Sequence, residues 1–292
     1  MSLILWRFSL NKTVSKSKKK WIVLAGILLL FIVLLLIFAP HGSKNYLIIG
    51  MDNYGSLNDT GRSDTMILVR LDFDKRKIGV VTFARDLLLD YNGHDQKINT
   101  IIRLGEEAGL TSVLEENFDF KIDGWFRVNF SSLISIIDEI GGVSVELTEA
   151  EAKYITRNVG DYPGYPLSEG ICRLNGAQAL SYARCRKLDN DFGRGDRQSK
   201  LVQALVKESR SMGIRRILQV FNTMGHAWRS SLSASDQLHL LYSCLWMRHA
   251  DIIRVGIPFE QTYWYSNSSS GDNGVLLNLD TNRQMLHELL SF

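Results

Sequence analysis

The sequence predicts a mixed α/β fold in which helices cover both faces of a central β-sheet. Short β-branched runs, such as residues 65–73 and 77–83, alternate along the chain with segments of helical period. Hydrophobic residues make up 45% of the 292-residue chain, which is enough for a substantial core. Because strands and helices interleave and no Pro/Ser-rich linker divides residues 45–292, we predict one domain there, with helices on both sides of one mixed sheet.

The strands are predicted from short apolar runs that end at turn residues. The first run ends at Gly50, and Asp74-Lys75-Arg76 is predicted to form a hairpin turn between the second and third strands. In chain order, the predicted strands cover residues 44–50, 65–73, 77–83, 125–129, 143–147, 252–258 and 274–279.

The helices are predicted from apolar residues that recur every three or four positions, and from capping signals. Gly141-Gly142 ends one helix, and Thr148 with Glu151 three residues later begins the next as a capping box. Residues 158–170, which are rich in Gly, Pro and Tyr, are predicted to be a loop. The predicted helices cover residues 97–108, 109–117, 130–140, 148–155, 201–210, 214–224, 234–250 and 282–290.

The N-terminal region predicts a single-pass membrane anchor. Residues 21–39 contain no charged side chain, and as a helix they would span roughly 28 Å, about the thickness of the hydrocarbon core. Residues 1–20 carry six basic residues and no acid, so the positive-inside rule keeps this tail in the cytoplasm and places residues 45–292 outside the cell membrane. A cleaved signal peptide is the alternative, although its apolar region is usually about 7–15 residues long.

The charge distribution and the motif content exclude several classes of protein. Of the 34 basic residues, six lie in the N-terminal tail, so the rest of the chain, with all 31 acidic residues, is mildly acidic. A nucleic-acid-binding domain would be strongly basic, so we predict no nucleic-acid partner. The sequence has no P-loop, GxGxxG, GxSxG or HExxH motif, which argues against nucleotide binding by those loops, a serine hydrolase and a zinc protease.

The segment 182–198 is unusually rich in arginine. Because guanidinium groups repel one another, their clustering indicates an anionic ligand, and the flat arginine fork suits phosphate oxygens. Gly193 and Gly195 predict a loop with wide backbone freedom. A solvated loop with local Arg–Asp pairs is the alternative, and composition alone leaves both open. The arginines of this segment are Arg184, Arg186, Arg194 and Arg197.

Two aspartates are predicted to meet at one end of the sheet. Asp52 follows the first strand and Asp64 precedes the second, so antiparallel pairing of these strands would bring both carboxylates to the same rim. Two carboxylates there suit Mg²⁺, which takes phosphate oxygens and water as its remaining ligands. The alternative is that Asp64 caps a turn and Asp52 only ends a strand. Arg85, beside Asp86 at the end of a third strand, would join this rim or form a surface ion pair.

Two of the three cysteines flank a short segment. A disulfide between Cys172 and Cys185 is geometrically possible and an oxidising exterior would permit it, but free thiols are an equally open alternative.

Seven segments over residues 45–207 form an ordered set: NYLIIGMDN, GRSDTMILVRLD, VVTFARDLLLD, KINTIIRLG, VNFSSLISIIDEIGGVSVEL, LNGAQALSYARCR and DFGRGDRQ. Taken in this order, they resemble the LytR-CpsA-Psr (LCP) family, the membrane-anchored ligases of bacterial cell-wall glycopolymers. The ordered set is specific, although each segment alone is weak. Asn53 is a departure, because the family often has an arginine straight after the first aspartate.

The resemblance implies an LCP-type fold and a Mg²⁺-dependent phosphotransferase. Such an enzyme moves a glycopolymer phosphate from a polyprenyl pyrophosphate to a sugar hydroxyl of peptidoglycan, and the lipid tail lies in an apolar tunnel. The family pattern implies that Asp52 and Asp64 hold Mg²⁺ and that Asp191 accepts the proton of the attacking hydroxyl. It implies a polar contact near the lipid head group from Gln198 and a supporting role for Arg197. The arginines implied to grip the pyrophosphate are Arg62, Arg85, Arg184, Arg186 and Arg194.

Two other functions stay open at the level of sequence. One is a polyprenyl-pyrophosphate hydrolase that uses water at the same rim. The other is a non-catalytic binder of lipid pyrophosphate, or a regulator of the cell envelope.

Overall fold

The computed structural model describes residues 39–58, 61–159, 167–185, 188, 191–268, 271 and 273–290, without the side chains at 191, 192, 214 and 224. From His41 onward the described residues form one compact unit. The predicted cytoplasmic tail, residues 1–20, and all but the last residue of the predicted anchor, 21–39, lie outside the described part. Among the residues that are described, no helix is both long and apolar enough to cross a bilayer.

Strands and helices interleave along the described chain. Strands β1 to β12 span Ser43–Met51, Ser63–Asp72, Lys77–Phe83, Leu88–Tyr91, His94–Lys97, Gly124–Val128, Val143–Leu147, Gly170–Leu174, Arg229–Ser230, Asp251–Ile257, Tyr263–Asn267 and Asn273–Leu277. Helices α1 to α8 span Ile98–Phe118, Phe130–Ile140, Glu149–Val159, Gly176–Arg184, Asp191–Ser211, Ile214–Met224, Ala234–Trp246 and Leu279–Leu290.

Six of the strands form the central sheet, in the order β10-β3-β2-β1-β6-β9. The pairs β1–β2 and β2–β3 are antiparallel, whereas β1–β6 and β10–β3 are parallel, so the sheet is mixed as predicted. Three two-stranded ribbons accompany it: β4–β5, β7–β8 and β11–β12.

Both faces of the central sheet are covered by helices, because the side chains of each strand alternate between two apolar layers. On one face, Leu47 and Val81 pack in a cluster with Ile101 of α1 and Leu286 of α8. On the other, Ile67 and Val80 pack in a cluster that includes Val202 of α5 and Met247, just after α7. The predicted fold class is therefore confirmed for the described residues.

The prediction of a glycine-containing loop in the arginine segment is wrong for the second half of that segment. Helix α5 begins at Asp191 and includes both Gly193 and Gly195. Glycine weakens a helix by about 1 kcal/mol relative to alanine, but here tertiary packing outweighs this local preference. Arg194, Arg197 and the two residues that follow are buried within α5.

Several other boundaries differ from prediction. The two helices predicted over 97–108 and 109–117 lie within α1, but the kink that separates them is at Gly105 and Glu106, where the backbone is non-helical, and not at 108–109. The hairpin β4–β5 was missed, although Asn92-Gly93 at its turn is a hairpin signal and both residues have positive φ, 57° and 81°. The predicted loop 158–170 ends in β8, which pairs with β7.

Candidate active site

A cavity of about 490 Å³ opens where β1 ends and β2 begins. Its walls come from α2, α3, α4 and α5 as well as from the two strands. Five of the residues predicted from sequence line it together: Asp52, Asp64, Arg184, Arg194 and Gln198.

The pairing of β1 with β2 places the two aspartates at the same rim. The strands are antiparallel, and the register shifts between Gly50 and Met51, so that Met51 pairs with Ser63. Just beyond, the Asp52 N–H donates to the Arg62 carbonyl at 3.3 Å. A Cβ at position 50 would lie 2.8 Å from the Cβ of Thr65, so glycine is needed for this close pairing.

Asp64 lies between two guanidinium groups. Arg85 Nη1 donates to both of its carboxylate oxygens, at 3.2 and 3.3 Å. Arg194 Nη1 lies 4.0 Å from Asp64 Oδ2, and the Arg194 side chain is buried. Arg85 also contacts Asp86, through Nε at 3.2 Å, and Lys97 lies 3.6 Å from the same carboxylate. The rim therefore carries two arginines and one lysine around two carboxylates.

Arg184, the last residue of α4, covers the opposite side of the cavity. Its Nη2 lies 3.5 Å from Asp52 Oδ1, and its guanidinium lies 4.2 Å from the centre of the Phe130 ring. Helix α4 passes very close to α2 at Gly176. The approach is possible only because this residue is glycine, since a Cβ there would overlap the backbone of Ile134. This close approach keeps the last turn of α4 beside Phe130 at the start of α2.

Arg197, for which the family pattern implies a supporting role, is not among the residues that line the cavity. Its guanidinium donates to the Cys185 carbonyl at 2.6 Å and to Glu151 at 3.5 Å, and its side chain is buried. Glu151 also receives the Thr148 N–H at 3.0 Å, which is the predicted capping contact of α3. Arg197 thus links α5 by hydrogen bonds to Glu151 at the start of α3 and to Cys185, the residue that follows α4.

The other predicted site residues are less fully defined. Arg62 is exposed, on the loop before β2. Arg186 lies outside the described residues. Asp191 begins α5, and its side chain is not among those described. Among the cysteines, Cys172 and Cys185 are both buried free thiols, so the structure has no disulfide between them.

Sequence reasoning missed the apolar wall of the cavity. Tyr54, Phe130, Ile134 and Leu180 line it beside the charged residues, and Tyr54 and Phe130 pack edge to face at 5.1 Å. These residues fall on three separate elements, so no local pattern could have grouped them.

The two carboxylates are the type of ligand that Mg²⁺ prefers, but they do not form a complete set of ligands for the ion. Asp52 and Asp64 are hard oxygen donors on one cavity, which suits an ion that keeps water and phosphate oxygens as ligands. Within the described residues, no group of three or more His, Cys, Asp or Glu side chains is placed to hold a metal ion. A metal here would therefore take most of its ligands from a phosphate-bearing substrate and water.

A family model and several curated relatives match this chain. The model of the LytR_cpsA_psr family matches residues 11–283. The polyisoprenyl-teichoic acid–peptidoglycan teichoic acid transferase TagU of Halalkalibacterium halodurans is 34% identical over 202 residues, which cover 66% of this chain and 62% of TagU. The transferase of the same description named TagV, from Bacillus subtilis, is 27% identical over 256 residues, 84% of this chain and 64% of TagV. The chain thus matches just under two thirds of the length of each relative.

The fold is shared with a solved structure. The crystal structure of B. subtilis TagT superimposes with a TM-score of 0.67 at 22% identity, covering 86% of this chain and 92% of that one. TagT with bound octaprenyl pyrophosphate lipid gives a TM-score of 0.65 at 21% identity, covering 86% and 91%. At these identities the likeness establishes the fold alone.

Proposed function

Because the chain belongs to the LytR_cpsA_psr family, we propose that it transfers a glycopolymer phosphate from a polyprenyl pyrophosphate carrier to a sugar hydroxyl of peptidoglycan. The observation that carries the proposal is the cavity in which two carboxylates and two arginines meet an apolar wall. A lipid pyrophosphate has the matching chemistry: a charged head and an apolar tail. The transferase names of TagU and TagV support the same reaction.

The arginines at the cavity would neutralise the pyrophosphate. Phosphoryl transfer depends on positioning and on stabilisation of the charge that builds on the leaving phosphate. Arg194 is buried at the inner end, and Arg85 is held on Asp64, so both present a fixed positive charge without reorganisation. Arg184 is half exposed at the mouth, and its contact with Asp52 is long enough to be exchanged for a phosphate oxygen.

Two further roles in this proposal come from the family pattern. Mg²⁺, held by Asp52 and Asp64, would supply additional positive charge to the pyrophosphate oxygens. Asp191, at the start of α5, would accept the proton of the attacking sugar hydroxyl. Arg62 and Arg186 would add contacts to the head group, and Gln198 a polar contact on the cavity wall.

The isoprenoid tail would lie between the sheet and the helices that cover it. On the sheet face covered by α5 and α7, Tyr46, Ile48 and Val69 are among the apolar side chains that pack against the buried cluster but are only partly buried, and so is Trp246 at the end of α7. An apolar ligand would remove the rest of their surface from water, at about 25 cal/mol per Å². We propose that residues 21–39 anchor the chain and keep residues 45–292 outside the cell, next to the membrane that holds the donor.

The proposal is tested with the full-length chain in detergent, a synthetic polyprenyl-pyrophosphate-linked glycan, and purified peptidoglycan. We expect donor consumption only when peptidoglycan is present, with covalent glycan–peptidoglycan product and polyprenyl monophosphate formed in equal amounts. Removal of divalent cations with EDTA should stop the reaction, and added Mg²⁺ should restore it. Consumption of donor without acceptor would instead assign a hydrolase. Donor binding with no turnover under any condition would assign a carrier or regulator.

A further inference from the structure

Arg184 is held less firmly than the other arginines at the cavity. Arg85 donates to both carboxylate oxygens of Asp64, and the Arg194 side chain is buried. The Arg184 side chain is half exposed, and its Nη2 lies 3.5 Å from Asp52 Oδ1, longer than the roughly 2.7–2.9 Å of a charge-assisted hydrogen bond. Because a long exposed side chain loses rotamer freedom when it binds a ligand, a contact that already orients Arg184 would strengthen its binding of phosphate.

The Phe130 ring provides such a contact. The Arg184 guanidinium carbon lies over this ring, 4.2 Å from its centroid, which is within the range of a cation–π contact. Both side chains line the cavity. A guanidinium over a ring uses its flat face for that contact, so the N–H groups at its edges stay available as donors to phosphate oxygens.

The position of the Phe130 ring is itself fixed by the loop that follows β1. The Phe130 N–H donates to the Asn53 carbonyl at 3.0 Å. The neighbouring Asn129 side chain donates to the Gly55 carbonyl at 2.7 Å. Between these two carbonyls along the loop, the Tyr54 ring packs edge to face against Phe130, with 5.1 Å between the ring centroids. The first turn of α2 and this loop therefore hold the ring before any ligand enters.

The two contacts of Arg184 differ in what a bound pyrophosphate would do to them. In the proposed reaction, Arg184 exchanges its ion pair with Asp52 for a phosphate oxygen, because both compete for the N–H groups at the guanidinium edge. The contact with Phe130 involves the guanidinium face and can persist in the complex. The ring would therefore be the contact that keeps Arg184 in place while its hydrogen-bond partner changes.

We propose that Phe130 is a positioning residue, which holds the Arg184 guanidinium at the mouth of the cavity so that its N–H groups meet the pyrophosphate of the donor. This inference rests on the proposed transferase function and deepens it, because it assigns to an apolar side chain a part in binding the charged head group. Phe130 acts through Arg184 and is not a catalytic residue.

The test is a double-mutant cycle on ligand binding by the full-length chain in detergent. Binding of inorganic pyrophosphate is measured by calorimetry for the wild type, Phe130→Leu, Arg184→Ala and the double variant. Phe130→Leu keeps an apolar side chain but removes the ring face, so we expect the affinity to fall by about two- to fivefold, the effect of one exposed cation–π contact. When Arg184 is already alanine, the same substitution should leave the affinity nearly unchanged.

Two further variants separate positioning from a general loss of packing. Phe130→Tyr keeps the ring and should bind pyrophosphate with an affinity close to that of the wild type. Phe221→Leu is the matched control, because Phe221 lies on α6, outside the cavity lining, and its ring packs 5.9 Å from that of Trp228. This control should keep the wild-type affinity, and the melting temperature of every variant is measured to establish that it is folded.

Farnesyl pyrophosphate is the second probe, because it has both a head group and an apolar tail. We expect Phe130→Leu to weaken its binding by the same factor as that of inorganic pyrophosphate. A loss confined to farnesyl pyrophosphate would show that the ring contacts the tail, and would overturn the proposal. Equal losses with and without the Arg184 side chain would also overturn it, since a positioning residue acts only through the group that it positions.

The outcomes keep this inference distinct from the proposed function. If the wild-type chain binds pyrophosphate with the expected coupling between Phe130 and Arg184 but transfers no glycan to peptidoglycan, the role of Phe130 stands and the transfer reaction does not. If the chain transfers glycan and the coupling is absent, the reverse holds. Failure of the wild-type chain to bind either probe would overturn both.

Discussion

Replacement of Arg184 by alanine should separate its catalytic contribution from its structural one. The side chain is 48% exposed and makes two contacts: an ion pair with Asp52 at 3.5 Å and a cation–π contact with Phe130 at 4.2 Å. Exposed ion pairs contribute about 0.2–1 kcal/mol, and a cation–π contact at an exposed site about 0.5–1 kcal/mol. Arg184→Ala should therefore lower the free energy of unfolding by no more than about 2 kcal/mol.

The expected loss of activity is much larger. If Arg184 donates to the phosphate as charge develops, its removal costs about 2.7–4 kcal/mol of transition-state stabilisation, or about 10²- to 10³-fold in kcat. Arg184→Lys keeps the charge but loses the planar fork, so we expect an intermediate loss. The assay is acceptor-dependent release of polyprenyl monophosphate, measured together with urea unfolding of each variant.

Arg173→Ala is the matched control for this comparison. Arg173 is also partly exposed, at 41%, and makes two contacts away from the residues that line the cavity: its Nη1 contacts Glu208 at 3.3 Å and its Nε donates to the Gly141 carbonyl at 2.9 Å. It should lose a similar small amount of stability and keep its activity. Activity of Arg184→Ala within about threefold of wild type, with the variant folded, would refute the assignment of Arg184 to the phosphate.

Two more predictions concern Glu107 and Asp64. Burial raises the pKa of Glu107. The hydrogen bond from Arg127 at 2.8 Å, a backbone hydrogen bond and the charges of Arg127 and Arg229 together outweigh burial, so the pKa lies below its ordinary value of 4.5. Its contribution to stability is therefore present above pH 4.5 and lost as the pH falls through the lowered pKa. Glu107→Gln should cost about 3–5 kcal/mol in urea unfolding at pH 7 and less at pH 3, and a cost independent of pH would contradict this. Asp64→Asn should weaken Mg²⁺ binding, measured by calorimetry in the presence of farnesyl pyrophosphate, by at least about tenfold, and unchanged affinity would remove Asp64 from the metal site.

The sequence by itself determined the parts of the fold that depend on local pattern. The helix predicted over 130–140 and the strand predicted over 143–147 have the observed bounds, because a capping asparagine and two glycines mark their ends. The meeting of Asp52 and Asp64 was also predictable. Two strands joined by a short excursion pair antiparallel, and residues at the joined ends then share one rim.

The arginine segment shows where local pattern stops being sufficient. Its composition predicted an anion site, but two glycines predicted a loop, and the helix that forms instead turns Arg194 toward the cavity and Arg197 toward Glu151. A helix separates side chains by about 100° per residue. The direction in which each of these arginines points therefore depends on the residue at which the helix begins, and tertiary packing determines that residue.

Only the tertiary structure decided which distant residues became neighbours. The apolar wall of the cavity comes from elements far apart in the chain, such as Tyr54 after β1 and Leu180 on α4. Local periodicity specifies which face of an element is apolar, whereas the partner of that face is chosen by burial across the whole domain. Pockets lie between elements, so the chemistry of each residue could be stated from sequence, but its membership of a site could not.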